Sequence, residues 1–401
     1  GLGQAVRLER IALRTGGRQV LTRPPPGSLG DFHPLAHGPG GRTYFVRSLT
    51  VGPGEVFSLD RAGRARQLSH DNARITGLAH GLKGGLLVAS DRDGGVGALW
   101  RLDPRGPWWR KFAPVSAAGV TASADGRSVV FPLQFVEVGL WSAPTQGGAG
   151  AALAASSGTD WSPVVSPDGR SLAYLSNRSG AWEVWLADGS GRGARQVSHL
   201  GGAAVQDPAW APDGRSIVVA SPTAGQFDIL LIDVATGRAR ALVHTPADER
   251  YPAFSPDGRA VYFTRRQGAR YALMRRDLSG GAEQLVQEDA MRALPTSDGA
   301  SLYFGRPFRP GLWRLSLKTG QSVMVSKWPD WVGARNWTLA DGAVWGLASE
   351  PGGARLVRLD PSSGRQTPLV RVQALSRRSG LALLGGRVVY ARMVGQDSGL
   401  V

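Results

Sequence analysis

A tight-turn signature recurs along the whole 401-residue chain at a spacing that leaves little choice of architecture. It reads GPGGR at 38–42, LKGG at 82–85, SADGR at 123–127, SPDGR at 166–170, APDGR at 211–215, SPDGR at 255–259, TSDGA at 296–300, LADGA at 339–343 and LLGGR at 383–387. The last glycines fall at 41, 85, 126, 169, 214, 258, 299, 342 and 386, so successive turns are 41 to 45 residues apart. A fixed period of that length marks a unit copied because it cannot bury its apolar faces alone.

Each turn leads into a short β-branched or aromatic run: TYFVRS at 43–48, LLVASD at 86–91, SVVFPL at 128–133, SLAYLS at 171–176, SIVVAS at 216–221, AVYFTR at 260–265, SLYFGR at 301–306, AVWGLA at 343–348 and VVYARM at 388–393. Asp-Gly between two such runs is a hairpin signal, because Gly takes φ > 0 without a Cβ clash. About ten residues on comes a second strand, as in EVFSLD at 55–60, ALWRLD at 98–103, EVWLAD at 183–188, DILLID at 228–233, GLWRLS at 311–316 and RLVRLD at 355–360. An outer strand follows, as in ARQLS at 65–69, ARQVS at 194–198, ARALV at 239–243 and AEQLV at 282–286. With the run before the turn, each unit holds four antiparallel strands, the composition of a β-propeller blade. The 56 Gly and 26 Pro, and the lack of any sustained 3.6-residue apolar period, predict almost no helix.

The two ends read as complementary fragments. Residues 379–384 and 388–393 supply two strands and stop, while 6–13 and 18–22 supply two strands with no turn before them. The expected fold is therefore all-β, a single closed propeller over 1–401. Its complete units run over 31–72, 73–114, 115–157, 158–200, 201–245, 246–287, 288–327 and 328–371, and a composite blade is made of 372–401 plus 4–22. That counts nine blades, with eight as the alternative.

PVVSPDGRSLAYLSNRSGAWEVWLAD at 163–188, PAWAPDGRSIVVASPTAGQFDILLID at 208–233 and PAFSPDGRAVYFTR at 252–265 resemble the WD40-like PD40 repeat of TolB-type propellers. The resemblance is strongest over 158–287 and extends along the chain by spacing. The ending VVYARMVGQDSGLV at 388–401 is similar to that of bacterial winged-helix regulators carrying a TolB-like propeller. That resemblance implies a sensory domain on the periplasmic side of an inner membrane, with a protein or peptide partner. The chain has no recognition helix, so direct sequence-specific nucleic-acid binding is not expected of it.

The formal charge is +16, and only four of the 47 basic residues are Lys (83, 111, 318 and 327), so the other 43 are Arg. They are dispersed, whereas a nucleic-acid footprint is a patch or stripe. An Arg-favouring genome accounts for this, and affinity for an anionic partner is the alternative. The absence of Cys excludes disulfides, thiolate nucleophiles and Cys-ligated metals. No 18-residue apolar run predicts a membrane span, no signal peptide is recognisable, and the opening at Gly1 rather than Met reads as an excised piece.

Catalytic motifs are missing. There is no G-x-S-x-G elbow, H-E-x-x-H, P-loop or dinucleotide fingerprint, and the nearest elbow-like string, PGSLG at 26–30, lacks the first Gly. The histidines at 33, 37, 70, 80, 199 and 244 are dispersed; His37 and His80 precede turns in successive units, but no metal or cofactor is expected. The expected site is the channel mouth, where residues preceding the innermost strands converge: Asp31, Asp160, Asp207, Asp248, Asp289 and Asp330, interleaved with Arg74, Arg250, Arg292 and Arg335. These groups form either a ring of ion pairs that fixes blade register or a polar site for a peptide, small ligand or cation. Trp100, Trp141, Trp185 and Trp313 occupy matching third-strand positions and read as core. Trp108, Trp109, Trp328, Trp331 and Trp337 near loops suit a partner surface. The leading reading is a non-enzymatic binding module. The alternative is the lid of a peptidase or hydrolase, or a hydrolase or lyase acting at the mouth, which would show carboxylates roughly 5–10 Å apart and unpaired.

Overall fold

The computed structural model describes residues 6–24, 30–48, 53–69, 73–81, 85–90, 98–103, 109–113, 119–123, 125, 127–154, 156, 158–200, 205–223, 226–267, 270–307, 309–327, 335–350, 353–373 and 380–400. Among them the regular structure is β-sheet, apart from one 3-10 turn at Pro39–Gly41. No helix of the described residues is long and apolar enough to cross a membrane. The chain divides into two compact units, one of Gly1–Val136 with Gln396–Val401 and one of Glu137–Gly395.

The turn motif explains itself atom by atom. The Ser166 hydroxyl donates to Asp168 Oδ1 at 2.5 Å, that oxygen accepts the Arg170 amide at 3.1 Å, and the Ser166 hydroxyl accepts the Ser171 amide at 2.9 Å. Gly169 closes the hairpin at φ +69°. The same bonds recur at Ser255, Asp257 and Ala260, and at Thr296, Asp298 and Ser301. A hydroxyl, a carboxylate and a Gly at fixed offsets satisfy the turn's amides locally, so the motif specifies a hairpin wherever it is copied.

Among its described residues the second unit contains six four-stranded antiparallel sheets. Sheet 1 is Asp160–Val165, Ser171–Ser176, Glu183–Asp188 and Arg195–Gln196. Sheet 2 is Gln206–Trp210, Ser216–Thr223, Gln226–Asp233 and Ala239–Val243. Sheet 3 is Asp248–Phe254, Ala260–Gln267, Arg270–Asp277 and Gln284–Glu288. Sheet 4 is Met291–Pro295, Ser301–Arg306, Arg309–Ser316 and Ser322–Ser326, and sheet 5 is Trp337–Ala340, Ala343–Glu350, Gly353–Leu359 and Gln366–Val372. Sheet 6 pairs in the order Leu381–Leu384, Arg387–Leu400, Pro132–Pro144, Ala151–Ala154.

Both faces of a sheet are covered, which is why the second strands read as nearly continuous apolar runs. Val261 and Phe263 point into a core shared with Val218 and Ile229 of sheet 2. Tyr262, one residue out of phase, joins Leu302 and Phe304 of sheet 4. Tyr303 in turn meets Val344 and Leu359 of sheet 5, whose Leu347 and Leu356 meet Val388 and Tyr390 of sheet 6. The leading strand of sheet 6 touches those of both sheet 1 and sheet 5. Trp141 and Trp313 pack against these cores and Trp100 against that of the first unit, as their matching positions predict.

A buried brace repeats near the start of third strands. The Ser198 hydroxyl donates to Glu183 and accepts the Val184 amide at 2.8 Å. In the first unit the Ser69 hydroxyl does the same for Glu55, at 2.5 Å, and the Val56 amide, at 2.8 Å. Sheet 2 replaces the pair with Asp228 and His244, bonded at 2.7 Å.

The composite blade expected at the ends is corrected. Arg387–Leu400 takes Pro132–Pro144 as its outer neighbour, not the N-terminal strands. The amide and hydroxyl of Thr145 both donate to the Gly386 carbonyl at 2.9 Å, and Arg387 Nε donates to the Ser142 hydroxyl at 3.1 Å. The N-terminal strands, Glu9–Ile11 and Arg18–Val20, pair only with each other, and all six residues are exposed. They lack an apolar face, whereas Ala143 packs with Val388 and Tyr390.

The expected unit 115–157 is divided accordingly. Thr121–Ala122 and Val129–Val130 form a separate two-stranded sheet, and the rest of that repeat joins sheet 6. In the first unit the expected repeats 31–72 and 73–114 are fused into one eight-stranded sheet, because Pro53 and Gly54 pair with Arg74 and Ala73.

Candidate functional site

The leading strands of sheets 1 to 4 break register at the same place: between Trp161 and Val164, Gln206 and Ala209, Arg250 and Ala253, and Met291 and Leu294. Each bulge holds one residue in the left-handed region: Ser162 at φ 52°, Asp207 at 53°, Tyr251 at 54° and Arg292 at 48°. Non-glycine residues rarely adopt this conformation, which costs on the order of 1–3 kcal/mol each, and such strain gathers at functional sites. Pro163, Pro208 and Pro252 follow three of them, and a proline disfavours the right-handed helical region in the residue before it. Before the leading strand of sheet 6 the left-handed residue is Gly380, at φ +69°, where a Cβ would stand 2.6 Å from Ser162 Cα.

These bulges bound a cavity of about 360 Å³ whose wall takes residues from all six leading strands or the turns entering them. Its polar groups are Ser162, Asp207, Tyr251, Arg292, Arg335 and Thr338, and Val164, Leu294, Leu339 and Leu381 contribute apolar wall. Arg335 grips Asp207 through Nε and, at 3.2 Å, through Nη2, which also donates to Gln206 Oε1 at 2.5 Å. Gln206 Oε1 accepts Arg250 Nη1 at 3.0 Å as well, and Arg250 Nε donates to Asp248 at 3.1 Å. Asp248 accepts the Phe227 amide at 3.0 Å, and the Arg250 guanidinium lies 3.8 Å from the centre of the Phe227 ring.

Arg292 Nη2 donates to the Trp337 carbonyl at 2.7 Å, and the guanidinium sits 4.9 Å from the Trp337 ring centre. Burial lowers the Arg292 pKa to about 10 against the pull of Asp207 and Tyr251, and the nearby Arg335 cation adds to the fall. Burial, reinforced by the Asp207 charge, raises the Tyr251 phenol above its ordinary value.

The expected mouth residues separate into distinct settings. Asp207, Arg292 and Arg335 line the cavity, and Arg250 with Asp248 braces Gln206 beside it. Asp160 is fully buried, held by Arg178 Nη2 at 3.0 Å to both oxygens and by the Ser156 hydroxyl at 2.9 Å. Asp31, in the first unit, is likewise buried and bonded by Arg47 at 2.5 and 3.0 Å. Asp289 is more exposed and accepts Arg306 at 3.2 Å.

The same device recurs in sheet 3, where Arg265 holds Glu249 at 2.9 Å. In each case the arginine also stacks on an aromatic ring: Arg47 on Phe57, Arg178 on Trp185, Arg265 on Phe263 and Arg306 on Trp313. These four pairs are formed within one repeat rather than between neighbours, while Asp207–Arg335 links residues from different sheets.

Trp337 is corrected from a surface position. It is 0% exposed, because it begins a leading strand whose neighbours enclose it. Trp109 is partly buried against the core of the first unit. Asp330, Trp108, Trp328 and Trp331 lie outside the described residues, and for Arg74 only the backbone pairing is described. His37 bonds the Thr43 hydroxyl at 3.1 Å and His80 stacks on Tyr44. No group of three or more metal-ligating side chains occurs among the described residues.

Ser162, Gln206, Tyr251 and Thr338 were not singled out by the sequence reading. Their signal was the period itself: Ser162, Asp207, Tyr251 and Arg292 are spaced like the turn glycines 169, 214, 258 and 299.

Residues 116–296 match the TolB beta propeller domain family, PD40. No curated protein matches the chain. Among solved structures, TolB from Acinetobacter baumannii is similar at 14% identity, over 84% of this chain and 81% of that one, with a TM-score of 0.48. A chain of a nidogen/laminin complex is similar at 10% identity, over 59% of this chain and 94% of that one, with a TM-score of 0.48. Oligogalacturonate lyase from Vibrio parahaemolyticus is similar at 12% identity, over 81% of this chain and 95% of that one, with a TM-score of 0.40.

Proposed function

We propose that this chain, a carrier of TolB-type PD40 repeats, is a non-enzymatic binding module whose recognition site is the cavity mouth of residues 137–395. Its six sheets close into a six-bladed ring, a reading supported by the contacts of the sheet 6 leading strand with those of sheets 1 and 5. The module serves as the sensory or interaction part of a membrane-linked bacterial transcription regulator, facing the periplasm. Its partner is a protein or peptide, or a small ligand in the channel.

One observation carries the choice of binder over enzyme. Asp207, the carboxylate in the cavity wall, is gripped by Arg335, and Asp248 beside it is held by Arg250. A hydrolase or lyase working here would need a carboxylate able to take or give a proton, and an arginine clamp withholds that role. Rigid, pre-paired polar groups at the rim of a cavity suit recognition instead.

The reading is tested by pull-down from a bacterial envelope extract with the tagged 401-residue chain beside its D207N and R335Q forms. A defined protein that stays bound at roughly 0.5 M salt, where exposed charges are screened, and is lost from both variants supports it. Recovery of polyanions alone, all released by salt, overturns it. An upstream winged helix and membrane span in the encoding gene would support the regulator assignment, and an adjoining hydrolase domain would sink it.

A further inference from the structure

The N-terminal hairpin, Glu9–Ile11 with Arg18–Val20, belongs to no larger sheet, yet it is firmly built. At its tip the Ala12 amide donates to the Gly17 carbonyl at 2.9 Å, the Gly16 amide donates to the Ala12 carbonyl at 2.8 Å, and Gly16 takes φ +67°. At its root the Leu21 amide donates to the Leu8 carbonyl at 2.8 Å, and the Leu8 amide donates to the buried Thr22 hydroxyl at 2.9 Å. The Asp31 amide, at the start of a leading strand in the first unit, donates to the Val6 carbonyl at 2.8 Å. The hairpin is thus tied to the first unit by its stem.

Two independent properties set this segment apart. Among the described residues twelve large apolar side chains are exposed, and four of them, Val6, Ile11, Leu13 and Val20, fall within residues 6–20. Leu13, in the turn, is 97% exposed, and Ile11, at the end of the first strand, is 52% exposed. Residues 6–24 also carry five arginines against one glutamate, a quarter of the formal charge of +16. Glu9 is held by Arg7 at 2.9 Å, and Arg10 bonds the neutral Gln19 at 2.5 Å. Arg14 and Arg18 have no carboxylate partner among the described residues. The register sets Ile11 beside Arg18 and Val20 beside Glu9 on one face, and Arg10 beside Gln19 on the other. Neither face is uniformly apolar, so the hairpin has nothing to bury in a core, and its apolar groups alternate with cations.

We propose that this hairpin docks on an anionic lipid bilayer, with Leu13 and Ile11 entering the headgroup layer and Arg10, Arg14 and Arg18 pairing with lipid phosphates. The inference goes beyond the binding-module reading and does not depend on it. Charge complementarity selects an anionic occupant, and the exposed leucine at the tip selects one with an apolar interior. A stable protein interface draws on about 20–30 residues a side around an apolar centre, whereas these four apolar side chains are separated by arginines. A bilayer needs no such centre. Each guanidinium near an anionic surface contributes separately, roughly fivefold in affinity. Its long side chain keeps the charge at the headgroups while the stem lies beside the buried leucine. Apolar burial in the interface adds to this attraction.

Flotation of the 401-residue chain with lipid vesicles tests this. Vesicles of phosphatidylcholine with about 30 mol% phosphatidylglycerol should carry the chain upward, and vesicles of phosphatidylcholine alone should not. Raising the salt from roughly 0.05 M to roughly 0.5 M should weaken the binding, because exposed charges are screened. R10Q/R14Q/R18Q should weaken it about a hundredfold and L13S about threefold to tenfold. The control R170Q/R215Q/R259Q removes the same charge from exposed turns of the second unit and should stay within about threefold of wild type. All the substituted side chains are exposed, and circular dichroism with thermal melting verifies that the variants fold.

Absence of binding to the anionic vesicles overturns the proposal, as does equal binding to neutral ones. An equal loss in the control variant makes net charge alone responsible and overturns the assignment to the hairpin. Unchanged binding in L13S overturns entry of the tip into the bilayer. Binding of poly-L-glutamate that is lost in R10Q/R14Q/R18Q, without binding of vesicles, makes the occupant an acidic protein surface and overturns the lipid assignment. None of the substituted residues lines the cavity, so the pull-down with D207N and R335Q judges the module reading separately.

Discussion

Arg335 and Asp207, 128 residues apart, hold each other through two guanidinium nitrogens and both carboxylate oxygens in the wall of the cavity of residues 137–395. Arg335 belongs to the turn entering sheet 5 and Asp207 to the bulge of sheet 2, so the pair joins two repeats that share no strand pairing. It fixes Gln206 at the same time, through the second nitrogen of Arg335.

Removing one member of this pair leaves the other charge buried. D207N is expected to cost about 3–5 kcal/mol, and the D207N/R335Q double variant less than the two singles together. Urea midpoints of the four proteins give the coupling, and simple additivity would show that the pair is not energetically linked.

Gly380 occupies a left-handed position packed against the backbone of Ser162. G380A should destabilise by at least about 2 kcal/mol, from unfavourable φ and forced displacement together. The thermal midpoint of the second unit should fall by roughly 4–8 °C.

The Ser198 hydroxyl both donates to the buried Glu183 carboxylate and accepts the Val184 amide. S198A should therefore cost about 1–3 kcal/mol, more than an exposed Ser→Ala change such as S190A. Chemical denaturation of the two variants side by side makes the comparison.

The hairpin aspartates predict an acid dependence. A Ser362 hydroxyl bond, followed by the Ser362 amide, lowers the Asp360 pKa to about 2, and hydroxyl bonds from Ser166, Ser255 and Thr296 lower Asp168, Asp257 and Asp298 in the same direction. A folded-state pKa below the unfolded value means that the stabilisation is complete above the unfolded value, near 4, and is lost as pH falls toward 2. The thermal midpoint should drop across that window, and D360N should flatten the slope. An unchanged slope would remove Asp360 as a contributor.

How much of this was legible in the sequence depends on whether a feature is local. The Ser166–Asp168–Gly169 turn and the strand run over 260–265 are decided within ten residues, and both stood in the repeat spacing. The choice of Pro132–Pro144 over the N-terminal strands as the neighbour of Arg387–Leu400 is decided by which faces are apolar across some 240 residues. Every repeat offers a similar outer pair, so spacing alone favoured the wrong one. Asp160 and Asp31 lie at the starts of leading strands but are turned inward, held by Arg178 in the turn that follows the adjacent strand and by Arg47 within it. The left-handed residues left a fainter trace: Pro163, Pro208 and Pro252 recur one position later, in step with the turns.

The bonds from Thr145 to Gly386 tie together segments 241 residues apart. During synthesis, Pro132–Pro144 leaves the ribosome long before Leu381–Leu384 and Arg387–Leu400 exist, and its inward edge must wait uncovered while sheets 1 to 5 assemble in order. The sheet that holds Pro132–Pro144 is therefore completed only by the last hairpin, and a chain ending before Gly380 would leave that strand with an unpaired, adhesive edge.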